Sequence, residues 1–116
     1  MDIRFADSKL EKECNDQRLL QRRHGAKRAK LLAVRLAVLS AAVSLADLLA
    51  PQYRGPMRCH ELTGDRAGQL SIDLDHPYRL IFVPDQDPLP TRTEGGGLDW
   101  NRVTRLLILG IADTHE

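Results

Sequence analysis

The chain has 116 residues, a formal net charge of +1, two cysteines and 42% hydrophobic residues. A chain of this length forms one domain, here residues 1–116, and is too short for two independent cores. Two cysteines without a Cys-x-x-Cys spacing exclude a disulfide framework, and the charged start is unlike a signal peptide, so we expect a cytoplasmic protein. Charged and polar residues interrupt the apolar stretch 31–50, so we expect no membrane span.

Basic residues are concentrated in the first third of the chain. Residues 1–35 hold ten Lys or Arg against five Asp or Glu, whereas residues 36–116 hold seven against eleven. Between residues 18 and 35 the chain has seven basic residues and no acidic one. Such a patch can attract a polyanion, and we therefore expect this segment to contact nucleic acid. The alternative is a solvated helix face, which has the same composition. The candidate RNA-binding side chains are Arg22, Arg23, Lys27 and Arg28.

The first half of the chain has the pattern of one strand followed by helices. Residues 1–6 alternate between polar and apolar side chains, as a short strand does. Residues 8–50 are predicted to be helical, with a first helix from about Lys9 to Arg23 that a capping-box sequence begins and Gly25 ends. A second helix then buries its Leu and Val face and ends before Pro51, which opens a linker.

From residue 57 onwards the apolar residues alternate with polar ones, which indicates strands. Turn residues separate three such runs, which we expect to form an antiparallel meander: 57–63, 69–74 and 78–83. Residues 84–101 contain prolines and three successive glycines and are predicted to be a mobile loop before a last strand. The sheet region is thus 57–115. The predicted class is α+β, a small, mostly antiparallel sheet with two N-terminal helices packed on one face.

Charged side chains are expected to meet on the sheet face that the helices leave open. Arg79 alternates with apolar neighbours along its strand, so it points to the open face if they point to the helices. Arg58 and His60 share one strand face by the same period, and Asp113 and His115 share one at the C-terminal end. Such a set suits proton transfer and stabilisation of phosphate charge, although each side chain could also be solvated or ion-paired.

The sequence contains no strong signature of a metal or cofactor site. Asp73, Asp75 and His76 form a loose trio, which we assign to a turn because the ligand pattern is unspecific. The glycine run 95–97 lacks a following Gly-Lys-Ser, and the sequence has no nucleophile elbow and no dinucleotide fingerprint. We therefore predict neither a metal nor a cofactor.

Four short motifs in the second half of the chain occur together in one known family. They are HELTGDRAG at 60–68, SI at 71–72, YRLIF at 78–82 and IADTH at 111–115. Together they resemble the RelE/ParE superfamily of type II toxins, and most closely its HigB-like group, the plasmid-maintenance killer proteins. The resemblance spans residues 57–115 and implies a RelE-like fold.

The resemblance implies the toxin of a type II toxin–antitoxin system, which cleaves messenger RNA on the ribosome and stops translation. The RNA 2′-hydroxyl would attack the adjacent phosphate without a metal, which leaves a cyclic phosphate and a free 5′-hydroxyl. The expected partners are the ribosome, messenger RNA and a cognate antitoxin with a helix-turn-helix DNA-binding domain. Two alternatives from other classes stay open: a non-catalytic, ParE-like inhibitor of DNA gyrase, and a partner-binding module on the same scaffold.

The resemblance also implies catalytic roles for four residues of this chain. Arg79 would bind or stabilise the scissile phosphate, and His115 would act in proton transfer. Asp113 would orient His115, and His60 would line the site.

Two positions depart from the family pattern. Relatives often carry Lys where Thr63 stands and Tyr where Thr114 stands, and these side chains would supply a cation and a stacking platform or proton donor. The expected activity is therefore weak, with Arg58 and Arg66 as RNA-binding side chains that compensate for the missing cation.

Overall fold

The computed structural model describes residues 1–113 and places five strands in one sheet. The strands are β1 Asp2–Phe5, β2 His60–Glu61, β3 Leu70–Asp73, β4 Tyr78–Pro84 and β5 Arg105–Asp113. Their order across the sheet is β1-β5-β4-β3-β2. Strand β1 runs parallel to β5, and the other neighbouring pairs are antiparallel. The predicted α+β class with a mostly antiparallel sheet is confirmed.

The helices of residues 1–113 are shorter than the sequence pattern predicts. They are α1 Ser8–Cys14, α2 Gln17–His24, α3 Ala26–Ala41 and α4 Pro51–Met57. Three 3₁₀ helices accompany them: Leu45–Leu49, Gly64–Arg66 and Trp100–Arg102. The predicted bounds of the two long helices are therefore wrong. In this part of the chain, no helix combines the length and the apolar character needed to cross a membrane.

The predicted first helix breaks after α1 because Asp16 caps a new helix. One carboxylate oxygen of Asp16 accepts hydrogen bonds from the backbone N–H groups of Arg18 at 3.1 Å and Leu19 at 3.3 Å. Both N–H groups lie at the start of α2 and have no partner within that helix. A carboxylate at this position satisfies them and so favours a helix that begins at Gln17.

The predicted second helix also ends early, at the C-terminus of α3. Ala42 is extended, with φ −67° and ψ 143°. The carboxylate of Asp47 accepts a hydrogen bond from the N–H of Val43 at 2.8 Å, which holds the chain in the new direction. Pro51 does not begin a linker, because it occupies the first turn of α4, where a helix does not use the missing N–H.

One hydrophobic core lies between the helices and one face of the sheet. Leu80 and Phe82 of β4 have no exposed surface and pack with Leu32 and Leu39 of α3, which are equally buried. Removing a side chain of this size from water contributes roughly 1.5–3 kcal/mol. Leu80 and Phe82 stand two positions apart and face the helices, so the residues between and beside them in β4 face away from the helices.

Hydrogen bonds hold the loop between β4 and β5 at two places, within the loop and near its C-terminal end. Thr91 and Leu98 form an isolated β-bridge, and the N–H of Arg92 donates to the carbonyl oxygen of Gly97 at 2.9 Å. The indole N–H of Trp100 donates to the carboxylate of Glu61 at 3.2 Å, which ties the loop to β2. The predicted mobility of residues 84–101 stays a prediction.

We expect Asp16→Ala to lower the free energy of unfolding by about 1 kcal/mol, because α2 loses the carboxylate that caps its first turn. Asp16→Asn keeps an accepting oxygen and should retain most of the stability. Equilibrium urea unfolding, followed by circular dichroism, measures both variants. Equal unfolding midpoints for the wild type and Asp16→Ala would contradict this role.

Candidate functional site

The sheet face turned away from the helices carries two rows of side chains across neighbouring strands. It is here called the open face, although Ser71 and Ile81 at its centre are buried. The first row is Asp73, Arg79 and Ala112, and the second row is His60, Ser71, Ile81 and Gly110. Leu80 lies in the core, so Arg79 beside it in the strand points to the open face. Arg79 and His60 are thereby placed on the same side of the sheet.

Arg58, Asp73 and Arg79 form an ion-pair cluster on the open face. One carboxylate oxygen of Asp73 lies 3.4 Å from Nε of Arg79, and the other lies 3.8 Å from Nη1 of Arg58. The side chain of Arg79 is 10% exposed, whereas that of Arg58 is 56% exposed. A buried guanidinium has lost most of its hydration and needs a nearby anion. The carboxylate of Asp73 therefore stabilises the buried charge of Arg79.

Arg58 reaches the open face from an uncommon backbone conformation. It follows α4 with φ 44° and ψ 52°, in the left-handed region that favours glycine. Its N–H donates to the carbonyl oxygen of Arg54 at 3.1 Å, which closes the helix. A glycine would avoid roughly 1 kcal/mol of backbone strain at such a position. The presence of arginine instead points to a use for its side chain.

His60 has a ring nitrogen that can take up a proton. Its Nδ1 lies 2.8 Å from the carbonyl oxygen of Arg58. A carbonyl oxygen only accepts hydrogen bonds, so neutral His60 carries its proton on Nδ1. This tautomer leaves Nε2 as an acceptor, which is the form that a general base requires.

Arg66 borders an open cavity of about 340 Å³ next to the second row of the open face. The cavity is lined by Arg66, Gln69, Ile81 and residues 109–112 of β5. Nη1 of Arg66 donates to the side-chain oxygen of Gln69 at 3.2 Å, which holds the guanidinium at the rim. Gln69 is neutral, and Arg66 forms no ion pair within residues 1–113, so an anion in this cavity would be attracted.

The structure does not bring Asp113 to the face that carries Arg79. Asp113 pairs with Tyr78 across β4 and β5, and Tyr78 directly precedes Arg79. Side chains alternate along a strand, so Asp113 lies on the opposite face, where it is exposed. His115 and Thr114 lie outside the described residues. The predicted contact between Asp113 and His115 therefore stays a prediction.

Arg22, Arg23 and Lys27 are exposed at the corner between α2 and α3, here called the basic corner. Arg22 and Arg23 lie in the last turn of α2, where the helix dipole favours positive charge. Within residues 1–113 none of the three forms an ion pair. Their charges are therefore accessible to a polyanion.

Arg28 holds the turn between β3 and β4. Its Nε and Nη2 donate to the two carboxylate oxygens of Asp75 at 2.8 Å and 3.1 Å, and its guanidinium lies 3.7 Å from the centre of the Tyr78 ring. The hydrogen bond from Arg28 lowers the pKa of Asp75 below its usual value. Arg28 thus has a structural role, which the prediction of an RNA-binding side chain did not include.

Asp73 is the residue of this site that the sequence pattern did not single out. The sequence pattern assigns Asp73, Asp75 and His76 to a turn, and the structure directs the two carboxylates apart, because Asp75 turns towards α3 and Asp73 towards the open face. No group of three or more His, Cys, Asp or Glu within residues 1–113 is placed to hold a metal ion. The alternation that buries Ile72 also puts Asp73 on the face of Arg79, so this pair could have been predicted.

A solved structure shares this fold. A YoeB/ParE toxin from Agrobacterium tumefaciens aligns with a TM-score of 0.51 and 13% sequence identity, over 99% of this chain and 100% of that chain. The likeness covers helices and sheet together, so the predicted RelE-like fold is confirmed. A scan against protein-family models and a search of curated proteins give no match.

We expect the ion pair between Arg28 and Asp75 to stabilise the fold near neutral pH and to lose this effect in acid. The lowered pKa of Asp75 means that the folded state binds this proton less tightly than the unfolded state. The contribution is therefore present above the ordinary carboxyl pKa and is lost as the pH falls through the lowered value. Asp75→Asn should lower the free energy of unfolding by about 1–2 kcal/mol at neutral pH.

Urea unfolding from about pH 7 down to about pH 3 measures this dependence, since the usual carboxyl pKa lies near 4. The difference between the wild type and Asp75→Asn should shrink over the acid end of that range. Asp65→Asn is the matched control, because Asp65 is exposed and forms no ion pair within residues 1–113. A difference of constant size across the whole range would argue against the pair.

Proposed function

We propose that this chain is the toxin of a type II toxin–antitoxin system, in the HigB-like group, and that it cleaves messenger RNA on the ribosome. The observation that carries the proposal is the cluster of Arg58, Asp73 and Arg79 on the same face as His60. The fold shared with a YoeB/ParE toxin supports this class of protein. In cleavage through a 2′-hydroxyl, guanidinium groups can stabilise the phosphate charge and an imidazole can transfer a proton.

The proposed reaction is a transesterification within the RNA strand. Nε2 of His60 accepts the proton of a 2′-hydroxyl, and the 2′-oxygen attacks the adjacent phosphorus. The bond from phosphorus to the 5′-oxygen breaks, and that oxygen takes up a proton. The products are a 2′,3′-cyclic phosphate and a 5′-hydroxyl. We assign the donated proton to His115, with Asp113 as the residue that orients it.

Arg79 is proposed to offset the negative charge that grows on the phosphate oxygens. Its side chain is 10% exposed, and a charge in a dry setting acts more strongly than one in water. Arg58 is 56% exposed and would contact the same phosphate or the next one. It would thereby replace the lysine that relatives often carry at the position of Thr63. Arg66 would bind the backbone at the rim of its cavity.

The basic corner is proposed to hold the toxin on the ribosome. Arg22, Arg23 and Lys27 are exposed and lie on α2 and α3, and none of them belongs to the ion-pair cluster of the open face. Exposed cations attract the phosphates of folded RNA over a distance set by the ionic strength. Binding at the corner and chemistry at the open face would thus use separate groups of residues.

A cognate antitoxin is the proposed partner that keeps the toxin silent. It would carry a helix-turn-helix DNA-binding domain and would be encoded next to this chain. Since both the open face and the basic corner serve the proposed activity, covering either one would suffice for inhibition. A ribosomal target also implies a cytoplasmic location.

Loss of Arg79 tests the proposal. Induced wild-type chain should stop growth and fragment transcripts, and primer extension should map the cuts. Arg79→Ala should lower cleavage about 100-fold or more, because the transition state loses a stabilising charge. Arg105→Ala is the matched control, because Arg105 is an exposed arginine of the same sheet, outside the ion-pair cluster.

The same experiment separates the alternatives. Equal cleavage by the wild type and Arg79→Ala would contradict the proposed role of the open face. Intact transcripts together with cleaved DNA would indicate a gyrase inhibitor instead. A chain that affects neither transcripts nor DNA would be a partner-binding module.

A single 2′-deoxy nucleotide tests the mechanism. A messenger RNA with this change on the 5′ side of a mapped cut should stay intact at that position on the ribosome, because the internal nucleophile is missing. The same change one nucleotide downstream is the control and should leave the cut in place. His60→Gln should slow cleavage about 100-fold, the effect of losing a general base. Cleavage at the deoxy position would exclude transesterification.

A further inference from the structure

We propose that Asp73 is a positioning residue that holds Arg58 and Arg79 in the RNA-free protein and competes with RNA phosphate for both guanidiniums. This inference rests on the proposed function, in which a phosphate binds on the open face. It gives a role to an acidic side chain at the centre of a site that must accept a polyanion. The consequence is a protein that binds RNA less tightly than its arginines alone would allow.

The carboxylate of Asp73 occupies the place that a phosphate would take. Its two oxygens face different guanidiniums, Arg79 at 3.4 Å and Arg58 at 3.8 Å. Carboxylate and phosphate oxygens present the same kind of acceptor to an arginine. Asp73 therefore marks the point between the two arginines where an anion is held.

Both contacts of this carboxylate are weak enough for exchange. Strong hydrogen bonds between a cation and an anion span about 2.7–2.9 Å, and both distances here are longer. The side chain of Asp73 is 24% exposed, but its Oδ1, which faces Arg79, is buried. An incoming phosphate would therefore meet the exposed Arg58 first and replace the contact with Arg79 afterwards. A phosphate that forms shorter hydrogen bonds would replace the carboxylate. Arg79 would then have an anion beside it both before and after the exchange.

The backbone of Asp73 is fixed, so the exchange involves its side chain alone. Nε of Arg35 donates to the carbonyl oxygen of Asp73 at 3.1 Å, and Nη2 of Arg35 donates to that of Pro56 at 3.2 Å. Asp73 is also paired with Arg79 in the ladder between β3 and β4. A displaced carboxylate thus stays near the phosphate and repels it, which lowers the affinity for RNA.

Binding of a fluorescein-labelled single-stranded RNA tests this inference. Asp73→Asn should bind roughly tenfold more tightly than the wild type at moderate salt, because one repulsive charge is gone. A plot of the logarithm of its affinity against the logarithm of salt concentration should have a slope that is more negative by about 0.7. This is the change expected for one further phosphate contact on a single strand. Asp73→Glu keeps the charge and should stay near the wild type. Glu94→Gln changes the net charge equally, at an exposed position of the loop between β4 and β5, and should do the same.

Thermal unfolding in inorganic phosphate gives a second measurement that needs no RNA. Asp73→Asn should melt below the wild type without phosphate, because the charge of the buried Arg79 is no longer offset by the carboxylate of Asp73. Phosphate should then raise the melting temperature of Asp73→Asn more than that of the wild type, because a ligand stabilises the state that binds it. Glu94→Gln should respond to phosphate as the wild type does.

The inference is overturned if Asp73→Asn binds RNA no more tightly than the wild type and gains no more from phosphate. Failure of the proposed function would look different. Transcripts would then stay intact with the wild-type chain, while Asp73→Asn would still bind RNA and phosphate more tightly. That result would support the competition at Asp73 and remove the cleavage activity.

Discussion

The register of β3 on β4 decides where the charged groups of the open face lie, and this register is fixed from the core. Ile72 pairs with Leu80 across the two strands, and both side chains are fully buried. A slip by one residue would carry Arg79 into the core and Leu80 out to solvent. The burial that stabilises the sheet therefore also holds Arg79 opposite Asp73, so that the geometry of the site and the stability of the fold depend on one hairpin.

Helix α3 supports this hairpin from behind through two arginines. Arg28 binds the carboxylate of Asp75 in the turn, and Arg35 binds the backbone of Asp73 at the end of β3. Arg35 also binds a carbonyl oxygen near the end of α4, just before the chain reaches Arg58. Helix α3 thus positions the open face although it contributes none of the side chains on it.

The strands could be predicted from the sequence more closely than the helices. A half-buried strand repeats every two residues, and β3 and β4 lie within one residue of their expected bounds. The predicted strand 57–63 is wrong in its bounds, because α4 extends to Met57 and β2 covers only His60–Glu61. The boundary between α1 and α2 depends on the capping side chain of Asp16, and a proline such as Pro51 can either follow a helix or begin one. The periodicity of apolar residues therefore does not determine these two helix boundaries. The partner of Arg28 lies 47 residues away, a contact that the composition of a basic segment does not indicate.

The charge balance of the open face bears on how the proposed enzyme would select its substrate. Two guanidiniums share one carboxylate there, so the net positive charge of the cluster is small for a site that takes a polyanion. The basic corner carries exposed positive charges without ion pairs among residues 1–113. An RNA free in solution that meets the open face alone would be held weakly. A large RNA assembly that engages corner and face together would be held far more firmly, because the second contact forms within one complex. In the proposed function, this division makes cleavage depend on the ribosome.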